Sequence, residues 1–240
     1  MWSQRRVGLC PWRAERLPQM SSGIVLVETI KGEVPNMDFD DVVRTRRSIR
    51  KYGPEPVAPA VLDRILDAGT RGPTAGYSQG QSYVVVTDPA MIGRLMAEMD
   101  RQEHALMGAP LQVAPAEPPA FGAPVLVVAC TNEADYHRRY QRPDKVLPDG
   151  SEIPWPVPYW YVDSGCGIML MLLAAVNEEL AACLIGVPFD VAPWRELLGI
   201  PEEVMPVGTI LVGHRAPDEQ KRDLRARRRA QEDYVHRERW

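Results

Sequence analysis

The chain has 240 residues, 45% of them hydrophobic, which suits one globular domain with a sizeable core and does not force a second. A formal net charge of −4 argues against a protein built to hold nucleic acid or an anionic membrane surface, partners that reward a basic excess. The charge is uneven, however. Basic residues crowd at positions 44–51 and 221–229, and a basic cluster inside an acidic protein points to a small anionic ligand rather than a polyanion.

Residues 1–36 show no clear periodicity and read as an extension outside the fold, either a disordered segment or the product of an upstream start codon. The domain is expected over residues 37–240. "DFDDVVRTRRSIR" sets acidic residues first and arginines last, as a short helix aligned with its own dipole does. "APAVLDRILDAG" places Pro59 in a first turn and Leu62, Ile65 and Leu66 on one face, with Gly69 and Gly72 as its stop. The breaker-rich "RGPTAGYSQG" then leads into a strand, "SYVVVTD", and "PAMIGRLMAEM" is helical again. "APVLVVAC" has the β-branched composition of a central buried strand.

Two proline-dense stretches, "GAPLQVAPAEPPAFG" and "QRPDKVLPDGSEIPWPVPYWYV", are neither helix nor central strand. The second is rich in Trp and Tyr and reads as an ordered flap, with Tyr140, Trp155, Tyr159, Trp160 and Tyr161 serving a substrate lid or a dimer interface. "DSGCGIMLMLLAAVNEEL" is a buried helix with Asp163 as its N-cap. Its most apolar run is about half of the roughly 20 residues that cross a bilayer, so no membrane span is expected. "AACLIGVPF", a short helix "APWRELLGI", a strand "VGTILVGH" and a basic tail complete an α+β (or α/β) domain.

Cys10, Cys130, Cys166 and Cys183 show no CxxC and no ligand-like spacing to histidine, so a metal site is not expected. The last three lie in apolar runs, the habit of free thiols in a reducing compartment, and the cytoplasm is the expected location. His104, His137, His214 and His236 have no nucleophile partner in a recognised arrangement and receive no catalytic role.

At Arg46, Arg47, Ser48 and Arg50 two readings compete. Cations at a helix C-terminus complement its dipole, which requires no ligand. Guanidinium forks with a serine hydroxyl would make a phosphate clamp, the reading that needs support from elsewhere in the chain. The sequence has neither GxxxxGK[ST] nor GxGxxG, so a mononucleotide or dinucleotide cradle of those kinds is not on offer.

"RRSIRKYGPEPV", followed by "APAVLDRILDAGTRGPTAGYSQGQSYVVVTD", resembles the opening of the nitroreductase family of flavoproteins. "LAACLIGVPFD", "WRELLGIPEEVMPVGTILVGHRAP" and the ending "LRARRRAQEDYVHRERW" resemble its second half. The resemblance implies a mostly antiparallel central sheet flanked by helices, an intertwined homodimer, and FMN at the interface. It implies that Arg46, Arg47, Ser48 and Arg50 hold the flavin tail and that Thr74, Gly76 and Gln79 run along the ring. Ile185 and Gly186 would back the flavin, and Arg225 and Arg228 would close over its phosphate. Tyr77 stands where many members carry asparagine.

The implied activity is FMN-dependent reduction of a small organic acceptor, nitroaromatic or quinone-like, by NADPH or NADH with ping-pong kinetics. No side chain is then needed as acid or base, because the flavin carries the chemistry. Alternatives are a flavin or deazaflavin carrier or sensor, or a specialised dehydrogenase, dehalogenase or flavin-cleaving member. Nucleic-acid binding through the tail is disfavoured by its interleaved Asp218, Glu219, Asp223, Glu232 and Asp233.

Overall fold

Seven consecutive buried residues, Val125–Thr131, lie at the centre of the architecture. A strand apolar on both faces must be covered on both, and in the computed structural model, which describes residues 37–108, 119–217 and 227–240, it is. Four antiparallel strands run in the order β1 (Gln81–Val86), β2 (Val125–Thr131), β4 (Met205–Gly213), β3 (Ala181–Ile185). Val125, Val127 and Ala129 face α2 (Pro59–Thr70) and α5 (Tyr159–Asn177); Leu126, Val128 and Cys130 face the side of α3 (Pro89–Met107) and α6 (Ala192–Leu198). Two short helices, α1 (Phe39–Thr45) and α4 (Glu133–Tyr140), complete the set.

The α2–α5 contact is close because small residues meet there. A Cβ on Gly72 would come within 3.2 Å of the Gly167 Cα, and one on Gly69 would strike the Met171 side chain. Gly69 is therefore not the helix stop expected from sequence. It is buried inside α2, where its missing side chain admits α5. Arg64 of α2 bonds Glu178, just past α5, through two nitrogens at 2.9 and 2.6 Å.

α3 runs to Met107, well beyond the expected "PAMIGRLMAEM". Tertiary partners explain the extension. Gln102 is buried, donates to the Asp190 carbonyl at 2.9 Å and accepts from the Asp190 N–H at 2.7 Å, so the helix is used to grip the segment after β3. Trp194 of α6 is fully buried and donates its indole N–H to the Leu95 carbonyl at 2.9 Å.

α5 starts at Tyr159, four residues before the expected Asp163 cap, and Pro158 occupies the N-cap position. Its full length and composition would suit a bilayer span, but it packs on the sheet and α2 as a core helix. One stripe stays open: Val162 and Met169 are exposed, and Leu184 of β3 is exposed as well. The expected N-terminal extension (residues 1–36), most of the first proline-dense stretch (109–118) and part of the basic tail (218–226) lie outside the described residues.

Candidate functional site

The arginine segment is fastened to the sheet by its own neighbours. Ser48 forms a parallel bridge with Ala182, and the Ile49 N–H donates to the Ala182 carbonyl at 3.2 Å. Tyr52 is buried beneath, its hydroxyl donating to the carbonyls of Ile49 at 2.8 Å and Leu211 at 3.3 Å. An aromatic residue after "RRSIR" thus nails the segment to β4 and turns its charged side chains away from the core.

The four predicted residues then part company. Arg47 donates to the Arg44 and Arg46 carbonyls, both at 2.7 Å, which is the helix-end role. Among the described residues Arg46 and Arg50 form no ion pair or side-chain hydrogen bond. Burial pushes the Cys183 thiol up, while Arg50 and Ser48 beside it pull it part of the way back. The Ser48–Ala182 bridge and the Ile49 N–H bond set the start of this segment alongside β3 at Ala182, the residue before Cys183 in the chain.

At the far end of β3, Ile185 is buried against α6, and exposed Gly186 has open space where a Cβ would stand. Gln81 pairs with Thr131, Thr131 with Met205, and Ile185 with Thr209, so β3 ends toward the same end of the strands from which β1 begins, although β1 and β3 are the opposite outer strands of the sheet. The Thr74–Gln79 loop enters β1 at that same end of the strands.

This loop is held in an unusual shape. Gly76 has φ of 60°, and so do Tyr77 (60°) and Gln79 (55°), two residues with a Cβ to accommodate. The Thr74 hydroxyl accepts from the Gln79 N–H at 3.3 Å, and Asp163, buried on α5, accepts from the Ala75 N–H at 2.7 Å. Asp163 is thus a loop anchor and not the helix cap. A side chain on Gly76 would collide with the Tyr140 ring at 2.6 Å. Of the tail residues, Arg225 lies outside the described residues, and Arg228 is exposed, with no hydrogen bond or ion pair among them.

The sequence reading missed α4. Its signals are an Asn132 side-chain cap at 3.0 Å, acids first and bases last, as in "NEADYHRRY". Arg139 of α4 donates through Nε to the Gly76 carbonyl at 2.8 Å and through its other two nitrogens to Asp144. Together with Arg138 and Arg142 it lines a groove of about 460 Å³ whose other wall is the Gly76–Gln79 backbone.

α4 also disposes of the flap aromatics. Trp155 packs on Tyr140 with ring centroids 4.5 Å apart and touches Tyr136, His137 and Trp160. Those rings are consumed within the chain, and only Tyr159 and Tyr161 remain exposed from the expected lid. His137 pins the flap: Nδ1 lies 2.6 Å from Glu152 and Nε2 3.2 Å from Glu133. The Glu152 hydrogen bond, against burial and with help from Glu133, raises the imidazole above its ordinary value of 6.5. Burial works to raise Glu152, but its bonds from Trp155, His137 and Gln141 outweigh that and hold it below the usual range.

The signs give a pH window. A raised His137 stabilises the flap fully below about pH 6.5 and loses that contribution as pH rises through its folded value. The lowered Glu152 contributes above its unfolded value and loses it as pH falls through the folded one. Limited proteolysis within residues 141–158 is expected to accelerate on the alkaline side, and His137→Ala is expected to flatten that rise. An unchanged cleavage rate between about pH 6 and 9 in the wild type would refute the pin.

The Nitroreductase family profile matches residues 43–214. A protein of Methanothermobacter thermautotrophicus that carries the provisional name NADH dehydrogenase/NAD(P)H nitroreductase is 30% identical over 223 residues, 92% of this chain and 97% of its own. An iodotyrosine deiodinase of Haliscomenobacter hydrossis is 24% identical over 75% of this chain and 83% of its own. The nitroreductase with bound FMN from Bacteroides fragilis shares the fold, with a TM-score of 0.58 at 20% identity over 78% of this chain and 94% of that one. With a family profile over residues 43–214 and a relative 30% identical over 92% of its length, this chain belongs to the nitroreductase family.

Proposed function

We propose that this protein is an FMN-dependent oxidoreductase that uses NADPH or NADH to reduce a small organic acceptor, nitroaromatic or quinone-like. The observation that carries the reading is the pair of guanidinium groups, Arg46 and Arg50, which have no ion pair or side-chain hydrogen bond among the described residues and flank in sequence Ser48, itself bridged to β3. Two cations and a neutral donor suit a phosphomonoester, which carries between one and two negative charges near neutrality. When bound, FMN supplies the hydride-accepting and electron-transferring chemistry.

The chain's own residues bind and orient. Ser48, Arg46 and Arg50 hold the phosphate end; Arg47 fixes the turn that presents them. The Thr74–Gln79 loop and the open backbone at Gly186 face the ring, the loop braced by Asp163 and Arg139 so that its polar groups need no reordering on binding. Donor and acceptor share one site in turn, which gives ping-pong kinetics. The apolar stripe of Val162, Met169 and Leu184 supports a homodimer whose second copy covers it, and the scattered free thiols support a cytoplasmic location. The name of the Bacteroides fragilis structure supports FMN, and that of the Methanothermobacter relative supports a nicotinamide donor.

A second reading, reductive dehalogenation of an aromatic substrate, draws on the iodotyrosine deiodinase relatives. It uses the same flavin site and differs in the acceptor, so iodide release from iodotyrosine separates the two.

The test is an absorption spectrum of the purified chain before and after anaerobic addition of NADPH or NADH. A yellow flavin band that bleaches with either donor is the expected result. A colourless protein that also refuses added FMN would overturn the proposal.

A further inference from the structure

Three arginines and two aspartates line the groove between α4 and the Gly76–Gln79 loop, and their charges do not cancel. Arg139 is spent: its three nitrogens serve the Gly76 carbonyl and both oxygens of Asp144. Arg138 gives one nitrogen to Asp135 at 2.6 Å, and among the described residues its others have no partner on a largely exposed side chain. Arg142, exposed just past the end of α4, has no hydrogen bond or ion pair from its side chain among the described residues. One guanidinium is left over, beside half of another.

A solvated cation at a helix end would account for Arg142 by itself. The opposite wall argues for more. Tyr77 is 76% exposed and Gln79 is exposed, both held at positive φ, a conformation that costs free energy and that the surroundings maintain through Asp163 and Arg139. A braced, strained loop facing an uncompensated guanidinium across a groove large enough for a small molecule makes a recognition surface.

We propose that this groove binds an oxyanion of a substrate, phosphate or carboxylate, through Arg142 and the free side of Arg138. The inference rests on the flavin reading, which puts the Thr74–Gln79 loop at the ring and so brings this groove beside the reacting centre. The anion has two possible sources: the phosphates of the nicotinamide donor or a carboxylate on the acceptor. Bidentate guanidinium contacts suit either.

The experiment reads binding without turnover. The full chain is loaded with FMN, loading is measured by absorption, and the oxidised protein is titrated calorimetrically with NADP+, with para-nitrobenzoate and with neutral para-nitrobenzyl alcohol. Arg142→Ala is expected to weaken an anionic ligand roughly tenfold, the scale of one charge-assisted contact at an exposed site, and to leave the neutral alcohol unchanged. Arg142→Lys is expected to recover part of the loss, since it restores charge but not the fork. Loss confined to NADP+ assigns the groove to the donor, and loss confined to nitrobenzoate assigns it to the acceptor. Equal affinities of wild type and Arg142→Ala for both anions would overturn the inference while a loaded flavin left the function standing. If FMN does not load, the functional reading fails separately, and the same titrations on the flavin-free chain still decide whether Arg142 binds anions.

Discussion

The Arg46→Ala/Arg50→Ala double variant is expected to purify folded and colourless, with FMN affinity reduced by roughly a hundredfold or more, the combined scale of two charge-assisted contacts. Neither guanidinium holds a partner among the described residues, so removing both takes nothing from the fold. Both flank a serine that is bridged to β3, and Arg50 lies close enough to Cys183 to bias its thiol. Arg47→Ala is the informative contrast. It removes donors from the Arg44 and Arg46 carbonyls, so it is expected to loosen the end of α1 and to lower thermal stability slightly while flavin is retained. Fluorescence titration of FMN and a thermal melt on each variant decide the matter. A double variant that keeps stoichiometric flavin would remove these arginines from the site.

The second large effect is structural. Gly167→Ala is expected to destabilise the protein by about 2–4 kcal/mol, because the new Cβ would lie 2.9 Å from the Gly69 carbonyl oxygen and closer still to the Tyr83 hydroxyl. Neither obstacle yields cheaply: the carbonyl belongs to the α2 backbone, and the Tyr83 hydroxyl donates to that same carbonyl at 3.1 Å. α2 and α5 must separate, and α5 carries Asp163, so the loop before β1 shifts as well. Gly93→Ala in α3 is the control. Nothing lies within 4 Å of its Cβ, and alanine in a helix interior is expected to add about 0.5–1 kcal/mol. Urea midpoints of the two variants should move in opposite directions; a Gly167→Ala midpoint equal to wild type would contradict the tight α2–α5 contact.

The sequence by itself determined the elements whose signal is local. Val125–Thr131 announces a doubly covered strand through an unbroken apolar run, α6 through Pro193 and Gly199 around "WRELL", and α1 through Asp38 and the acid-to-base order that follows. The arginine cluster was legible as charge that either a helix end or a phosphate could use, and its resemblance to a known family favoured the phosphate. Charge and spacing could not separate Arg47 from its neighbours, because a carbonyl three residues back and a bound anion ask for the same guanidinium.

What only the tertiary structure decided depends on partners distant in the chain. Gly69 looks like a helix stop until α5 is seen to pass over it, and Asp163 looks like a cap until Ala75, 88 residues away, donates to it. α3 runs past its apolar pattern because Gln102 meets Asp190. The groove under Tyr77 and Gln79 exists because Arg139 reaches from α4 to the Gly76 carbonyl, 63 residues back. Hydrophobic periodicity records burial along one element. It carries no record of which backbone group a distant side chain will find, and that pairing sets the shape of the site.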